Sequence, residues 1–248
     1  MNVNKVCFII AHKYFRGYES YLKQYVNNIQ EFYPEALTLV VDNNSADKNE
    51  HLTDLLDNPN VVLLENNIES KFELGAYCVA MSYLSEADRI DSYDYFVFSQ
   101  DNFLIRNKYE FSILKENSVD ACPIVSWKND WEKGDVWGSV LKSLSLLDGL
   151  LENTQLCWCN SFILSKCKVL SMYKMLTNII VKTRHESEAS ERYLGRILFE
   201  LNGHRLFDID GDIDLLDYYC HTVNLEQDTK HYFCKISQQK NERTNGVL

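Results

Sequence analysis

The sequence predicts an α/β fold in which a mostly parallel central sheet is flanked by helices. Three observations lead there. Four apolar runs, at residues 3–11, 37–41, 61–64 and 93–98, have the length and the β-branched or aromatic content of buried strands. Segments with helical spacing or helix-forming composition separate them, the alternation that builds parallel sheets with covered faces. Each run also stops abruptly at polar residues: His12-Lys13, Asp42-Asn43-Asn44-Ser45, Glu65-Asn66-Asn67 and Ser99-Gln100-Asp101-Asn102.

The elements follow in order. VNKVCFIIA reads as the first strand. Tyr21, Leu22, Tyr25, Val26, Ile29 and Phe32 recur at helical spacing over 18–32, and Pro34 closes that helix. After the second strand, 47–56 reads as a short helix and Asn58-Pro59 as a turn. The third strand precedes a helix over 75–84, and the fourth is YDYFVF. Beyond Asn102 the alternation stops. Residues 119–125 and CWCNSFIL (157–164) read as strands, 166–181 and 187–202 as helices, and 205–209 as a short strand. One domain over 1–235 is the simplest organisation, with halves at 1–105 and 106–235 and a mobile polar tail at 236–248.

Composition narrows the function classes. The chain of 248 residues is 46% apolar and 25% charged, ordinary for a globular protein. A net charge of -11 argues against nucleic-acid binding, which needs a basic face. Eight cysteines include no CxxC pair, so reduced, buried thiols are the better reading than zinc or disulfides. Cys157 and Cys159, two apart, are expected on one face of a strand. The amino terminus lacks a secretory pattern, and no apolar stretch is long enough for a transmembrane helix. A soluble, cytoplasmic protein is expected.

The strand ends are where chemistry is expected, because open α/β sheets bind ligands beyond the carboxyl ends of their strands. Ala11 and His12 end the first strand. Asp42, with Asn44 and Ser45, ends the second and offers acceptors to a base N–H or a ribose hydroxyl; the alternative is that Asp42 and Ser45 cap the next helix. Gly75 permits close backbone approach at a helix start, for a phosphate or for packing. Gln100 and Asp101 end the fourth strand, where a carboxylate suits a divalent ion shared with substrate phosphates.

The series VCFIIAHK, LTLVVDNNSAD, VVLLENN with GAY, and DYFVFSQDN resembles the nucleotide-sugar half of a GT-A glycosyltransferase of the broad family-2 type, as found in polysaccharide and rhamnan synthesis. The resemblance implies a GT-A, Rossmann-like fold and transfer of a sugar from a nucleotide diphosphate donor to a hydroxyl of a glycan or other acceptor. It implies that Asp42 contacts the nucleoside. It further implies a DxD motif holding a divalent metal, manganese or magnesium, on the diphosphate. Here Ser99-Gln100-Asp101 stands in that place, so only Asp101 carries over, and a metal-independent mechanism stays open.

The second half resembles the family more loosely. An acidic pair opening a helix there implies a general base, which puts Glu191, with Glu188 in reserve, in that role; the alternative is that Ser187, Glu188 and Glu191 serve the helix amino terminus. Trp137 and Trp158 are candidates to stack on an acceptor sugar, with core packing the alternative for Trp158. The acidic run FDIDGDIDLLD departs from an EF-hand loop and reads as a solvated turn. Lys235, Lys240 and Arg243 are candidates to neutralise a departing diphosphate, and His204 or His221 to complete a metal site. Two rival functions remain: a non-catalytic nucleotide-sugar-binding protein, which the incomplete DxD motivates, and a nucleotidyltransferase, which AHKYFRG with its one glycine disfavours.

Overall fold

The computed structural model describes residues 5–13, 19–45, 52–124, 126–127, 156–204, 216–217 and 232–235. Its centre is a six-stranded mixed sheet. Strands β1 (Val6–His12), β2 (Leu37–Asp42), β3 (Val61–Glu65) and β4 (Tyr95–Gln100) run parallel, in the order β3-β2-β1-β4. The small sheet-forming segments that follow are β5 (Phe103–Ile105), β6 (Ala121–Pro123), β7 (Ser126–Trp127), β8 (Leu156–Cys157) and β9 (Phe162–Ser165). Strand β9 pairs antiparallel with β4, and β6 antiparallel with β9, which completes the sheet beyond β4.

Every residue of β1 and β2 is buried, which explains why both read as continuous apolar runs instead of alternating ones. Successive side chains point to opposite faces. Phe8, Ile10, Val40 and Val97 pack on one face with Leu22, Tyr25, Val26 and Ile29 of helix α1 (Glu19–Phe32). Ile9, Leu39, Val41, Phe96 and Phe98 pack on the other with helix α3 (Phe72–Glu86). Between β2 and β3 lies the short helix α2 (Thr53–Leu56), and α4 (Ser112–Glu116) follows β5. Helices α5 (Lys166–Leu176) and α6 (Arg184–Leu201) extend the layer on the α3 face.

The expected α/β class, its first four strands and the helices expected over 18–32 and 75–84 are present; of the helix expected over 47–56, Thr53–Leu56 is described and 47–51 lie outside the described residues. Several boundaries differ for physical reasons. CWCNSFIL is not one strand: β8 ends at Cys157, a 3-10 turn spans Trp158–Asn160, and β9 starts at Phe162. Cys159 and Asn160 have φ of 57° and 52°, a left-handed pair that no strand accommodates, so Cys157 and Cys159 do not share a strand face. The helix expected over 166–181 ends at Leu176, and the chain then pairs with the loop before α3: Lys71 N–H donates to Val181 O (2.6 Å) and Val181 N–H to Ser70 Oγ (3.1 Å). Helix α6 starts three residues ahead of the expected 187, because Thr183 and Glu186 form a capping box.

A second sheet was not anticipated. Strands β10 (Leu216–Asp217) and β11 (Phe233–Lys235) join β5, with β11 antiparallel to β5. The expected strand at 205–209, most of the acidic run, Trp137, His221 and the 236–248 tail lie outside the described residues. Among the described residues no helix is long and apolar enough to cross a membrane.

Candidate functional site

Strand order reverses direction between β1 and β4, and the carboxyl ends of these two strands therefore open the crevice where α/β sheets take ligands. Register aligns the tips: His12 lies beside Asp42, Ala11 beside Gln100, and Asp42 beside Glu65. Ala11 is buried in the sheet, and His12 is buried with Nδ1 2.7 Å from Asp101 Oδ2. The same oxygen accepts the Lys13 backbone N–H at 3.1 Å. Lys13 Nζ donates to the carbonyls of Asn43 and Asn44, each at 2.9 Å. Three strand ends are thus laced together by side chains of the β1 exit.

The β2 tip is self-organised. Buried Asp42 accepts the Ser45 N–H at 2.9 Å and a short bond from the Ser45 hydroxyl. This turn needs a left-handed residue, and Asn44 supplies it at φ 60°. Asp42 and Ser45 therefore shape a turn; residues 46–51, where the helix they could cap is expected to start, lie outside the described residues, and α2 is described from Thr53. Asn43 Oδ1 accepts from Asn66 Nδ2 at 2.8 Å, and that amide also donates to Ser70 O. Gly75 sits in the first turn of α3, where a Cβ would come within 2.0 Å of Ser70 O and 2.6 Å of Asn66 Nδ2. The close approach that Gly75 permits is to the protein's own 66–70 loop.

At the β4 exit the two positions of the DxD pattern part company. Ser99, which stands where a DxD motif would have its first acid, is fully buried with its hydroxyl 2.9 Å from Tyr25 Oη under the sheet. It contributes nothing to the crevice. Asp101, with 26% of its side chain exposed, is the remaining carboxylate and already meets His12 and Lys13. Among the described residues no three His, Cys, Asp or Glu side chains converge as an ion site. Of the DxD pattern, Asp101 is thus the one carboxylate at this strand exit that could share an ion with substrate phosphates.

Gln100 turns toward the second half of the chain. Its Nε2 donates to Glu73 Oε1 (2.5 Å), and Glu73 Oε2 accepts from Ser187 Oγ (2.6 Å) on α6. One turn further along α6 is Glu191, whose Oε1 accepts the Cys159 backbone N–H at 2.9 Å. Burial pushes the Glu191 carboxyl up to about 7, against the opposing pull of that N–H, Lys235 and Arg192; Glu73 adds a smaller push upward. Asn160 is held against α6 by Ser187 and Ser190, which fixes the left-handed turn that presents the Cys159 N–H. Burial also pushes the Cys159 thiol up to about 12, against the pull of the Lys235 ammonium.

Glu188 pairs with Arg184 at 2.8 Å on the solvent side of α6. Trp158 is half-buried and packs against the core on the α1 face. Lys235 does reach the Glu191 neighbourhood, with Nζ 2.8 Å from Cys159 Sγ. His204 lies past the end of α6, edge-on to Phe199, and from Glu191 to Leu201 that helix rises about 15 Å. The sequence places Lys13 at the first strand's polar end without a role of its own. Glu73 is the residue the sequence does not single out; its signal is weak, an acid in a first helical turn two residues before Gly75.

The chain matches no known protein-family profile, and no curated protein is similar enough to count as a relative.

Proposed function

We propose that this chain is a GT-A-type glycosyltransferase that moves a sugar from a nucleotide diphosphate donor to a hydroxyl acceptor with inversion. The observation that carries the reading is the placement of Glu191: a partly buried carboxylate that accepts the Cys159 N–H, is pushed up to about 7 by burial, and lies one helical turn from Ser187, which Glu73 ties to the residue next to Asp101. General bases are tuned to that range by burial.

In this reading the nucleoside end of the donor lies against the Asp42–Ser45 turn, and the diphosphate lies at His12, Lys13 and Asp101. Lys13 brings positive charge to the crevice, and the Asp101 carboxylate fixes the imidazole of His12 and the Lys13 backbone. The acceptor hydroxyl attacks the anomeric carbon from the Glu191 side. Its proton passes to the Glu191 carboxylate, the bond from the anomeric carbon to the phosphate oxygen breaks, and the nucleoside diphosphate departs with that electron pair. In this reading His12, Lys13 and Asp101 meet the diphosphate, and the bonds made and broken balance without a metal ion.

Transfer assays with a panel of nucleotide sugars and simple glycan acceptors test the reading. Turnover by the wild type is expected, falling by about 100- to 10,000-fold in Glu191→Gln, the range of a lost general base. Ser99 in the core favours one second reading, a binding protein that has lost transfer. It predicts donor binding without turnover for any acceptor.

A further inference from the structure

We propose that Glu73 is a positioning residue that locks the β4 exit to α6, so that Asp101 and Glu191 address one crevice. Its carboxylate spends one oxygen on each half of the molecule: Oε1 accepts from Gln100 at 2.5 Å and Oε2 from Ser187 at 2.6 Å. Gln100 precedes Asp101 in the chain, and Ser187 lies one helical turn before Glu191. Hydrogen bonds to an ionised carboxylate are roughly twice as strong as neutral ones, so this single group resists relative sliding of the two parts.

The backbone before Glu73 is unusual in a way that serves this role. Phe72 enters α3 at φ 56°, a conformation that a bulky side chain avoids. Glu73 follows directly, in the first turn of α3, and from there bonds Gln100 and Ser187. Gly75 seats the same turn on the 66–70 loop, so the carboxylate is carried on a fixed support.

Glu73 also belongs to the charge environment of Glu191. Facing Glu191 are Lys235 from β11, Arg192 from α6, the thiols of Cys157 and Cys159, and Glu73 from α3. Of these, Glu73 is the carboxylate that disfavours a second negative charge. It therefore acts on Glu191 twice, through the geometry of α6 and through its field.

The role rests on the proposed transfer reaction, but its test does not need turnover. Carbon-13 NMR of the glutamate carboxyl groups follows the titration of Glu191 in the full chain, with Glu191→Gln giving the assignment. Glu73→Gln keeps an acceptor and a donor for Ser187 and Gln100 while removing the charge. In that variant Glu191 is expected to titrate at lower pH, with the melting temperature nearly unchanged. Calorimetric titration with a panel of nucleoside diphosphates is the second arm. Affinity is expected to hold within about threefold in Glu73→Gln and to fall at least tenfold in Glu73→Ala, which leaves both partners without their acceptor. An unchanged Glu191 titration in Glu73→Gln overturns the proposal, as does equal affinity in Glu73→Ala and the wild type. If the wild type binds no nucleoside diphosphate, the donor reading fails, and the Glu191 titration still decides the role of Glu73.

Discussion

The imidazole Nδ1 of His12 lies 2.7 Å from Asp101 Oδ2, a contact that joins the exits of the two neighbouring strands on either side of the sheet's switch point. The two side chains come from opposite ends of the first hundred residues, and only the parallel pairing of β1 with β4 brings them together. The same carboxylate oxygen orders the Lys13 backbone, so His12, Lys13 and Asp101 behave as one unit.

That unity has a measurable consequence. Asp101→Ala and His12→Ala are each expected to weaken nucleoside diphosphate binding by about 10- to 100-fold, the worth of a hydrogen bond to a charged group. The double variant is expected to lose little more than either single one, because both remove the same contact. Calorimetric titration of all three proteins measures this. Fully additive losses would mean that the two residues act separately.

The acidity of Glu191 gives a pH dependence with a definite sign. Turnover should rise as pH increases through about 7, because the base works in its deprotonated form. Stability runs the other way. The folded state holds the proton up to about 7, whereas the carboxyl of the unfolded chain releases it near its ordinary 4.5. The stabilising contribution is therefore complete below the unfolded value and is lost as pH rises through about 7, on the order of 3 kcal/mol in all. Urea unfolding at pH 5 and pH 8 should show this loss in the wild type and a smaller one in Glu191→Gln. Equal pH slopes in the two proteins would contradict the burial of Glu191.

Ser99 tests whether a DxD motif could be rebuilt. Its side chain is buried against Tyr25, so Ser99→Asp places a charge in the core and should destabilise by several kcal/mol without creating an ion site. Ser99→Ala, which leaves the Tyr25 hydroxyl without this partner, should cost about 1–3 kcal/mol. Thermal or urea melts measure both. A stable Ser99→Asp protein that gains manganese affinity would show that Ser99 faces the crevice.

Gly75 is held by sterics. A Cβ would meet Ser70 O at 2.0 Å, so Gly75→Ala should lose at least about 2 kcal/mol in urea unfolding despite the better helix propensity of alanine. No loss would mean that the 66–70 loop moves aside easily.

The strand exits were legible in the sequence because a fully buried strand leaves a local signature: an apolar run cut off by polar residues, as at Val41-Asp42 and Phe98-Ser99. What those exits do was less legible. Asp42 spends its carboxylate on Ser45, a local bond consistent with the turn residues around it. The direction of Ser99 follows from the period of two that places it with Tyr95 and Val97, on the α1 face. CWCNSFIL was misread because its left-handed turn depends on Ser187, Ser190 and Glu191, which approach from a distant helix. Pairing of β5 with β11 and the Glu73 bridge are likewise non-local, and neither leaves a pattern in its own neighbourhood.

In the proposed function the crevice at the β1 and β4 exits takes a nucleotide diphosphate sugar, with His12, Lys13 and Asp101 at its diphosphate. Calorimetric titration of the wild type and Asp101→Ala with a panel of nucleoside diphosphates and their sugars, in a chelator and again in manganese, tests it most directly. The account predicts saturable binding of at least one donor, at least tenfold weaker in Asp101→Ala. Binding that survives Asp101→Ala unchanged would contradict it, as would the absence of binding by every donor in both conditions.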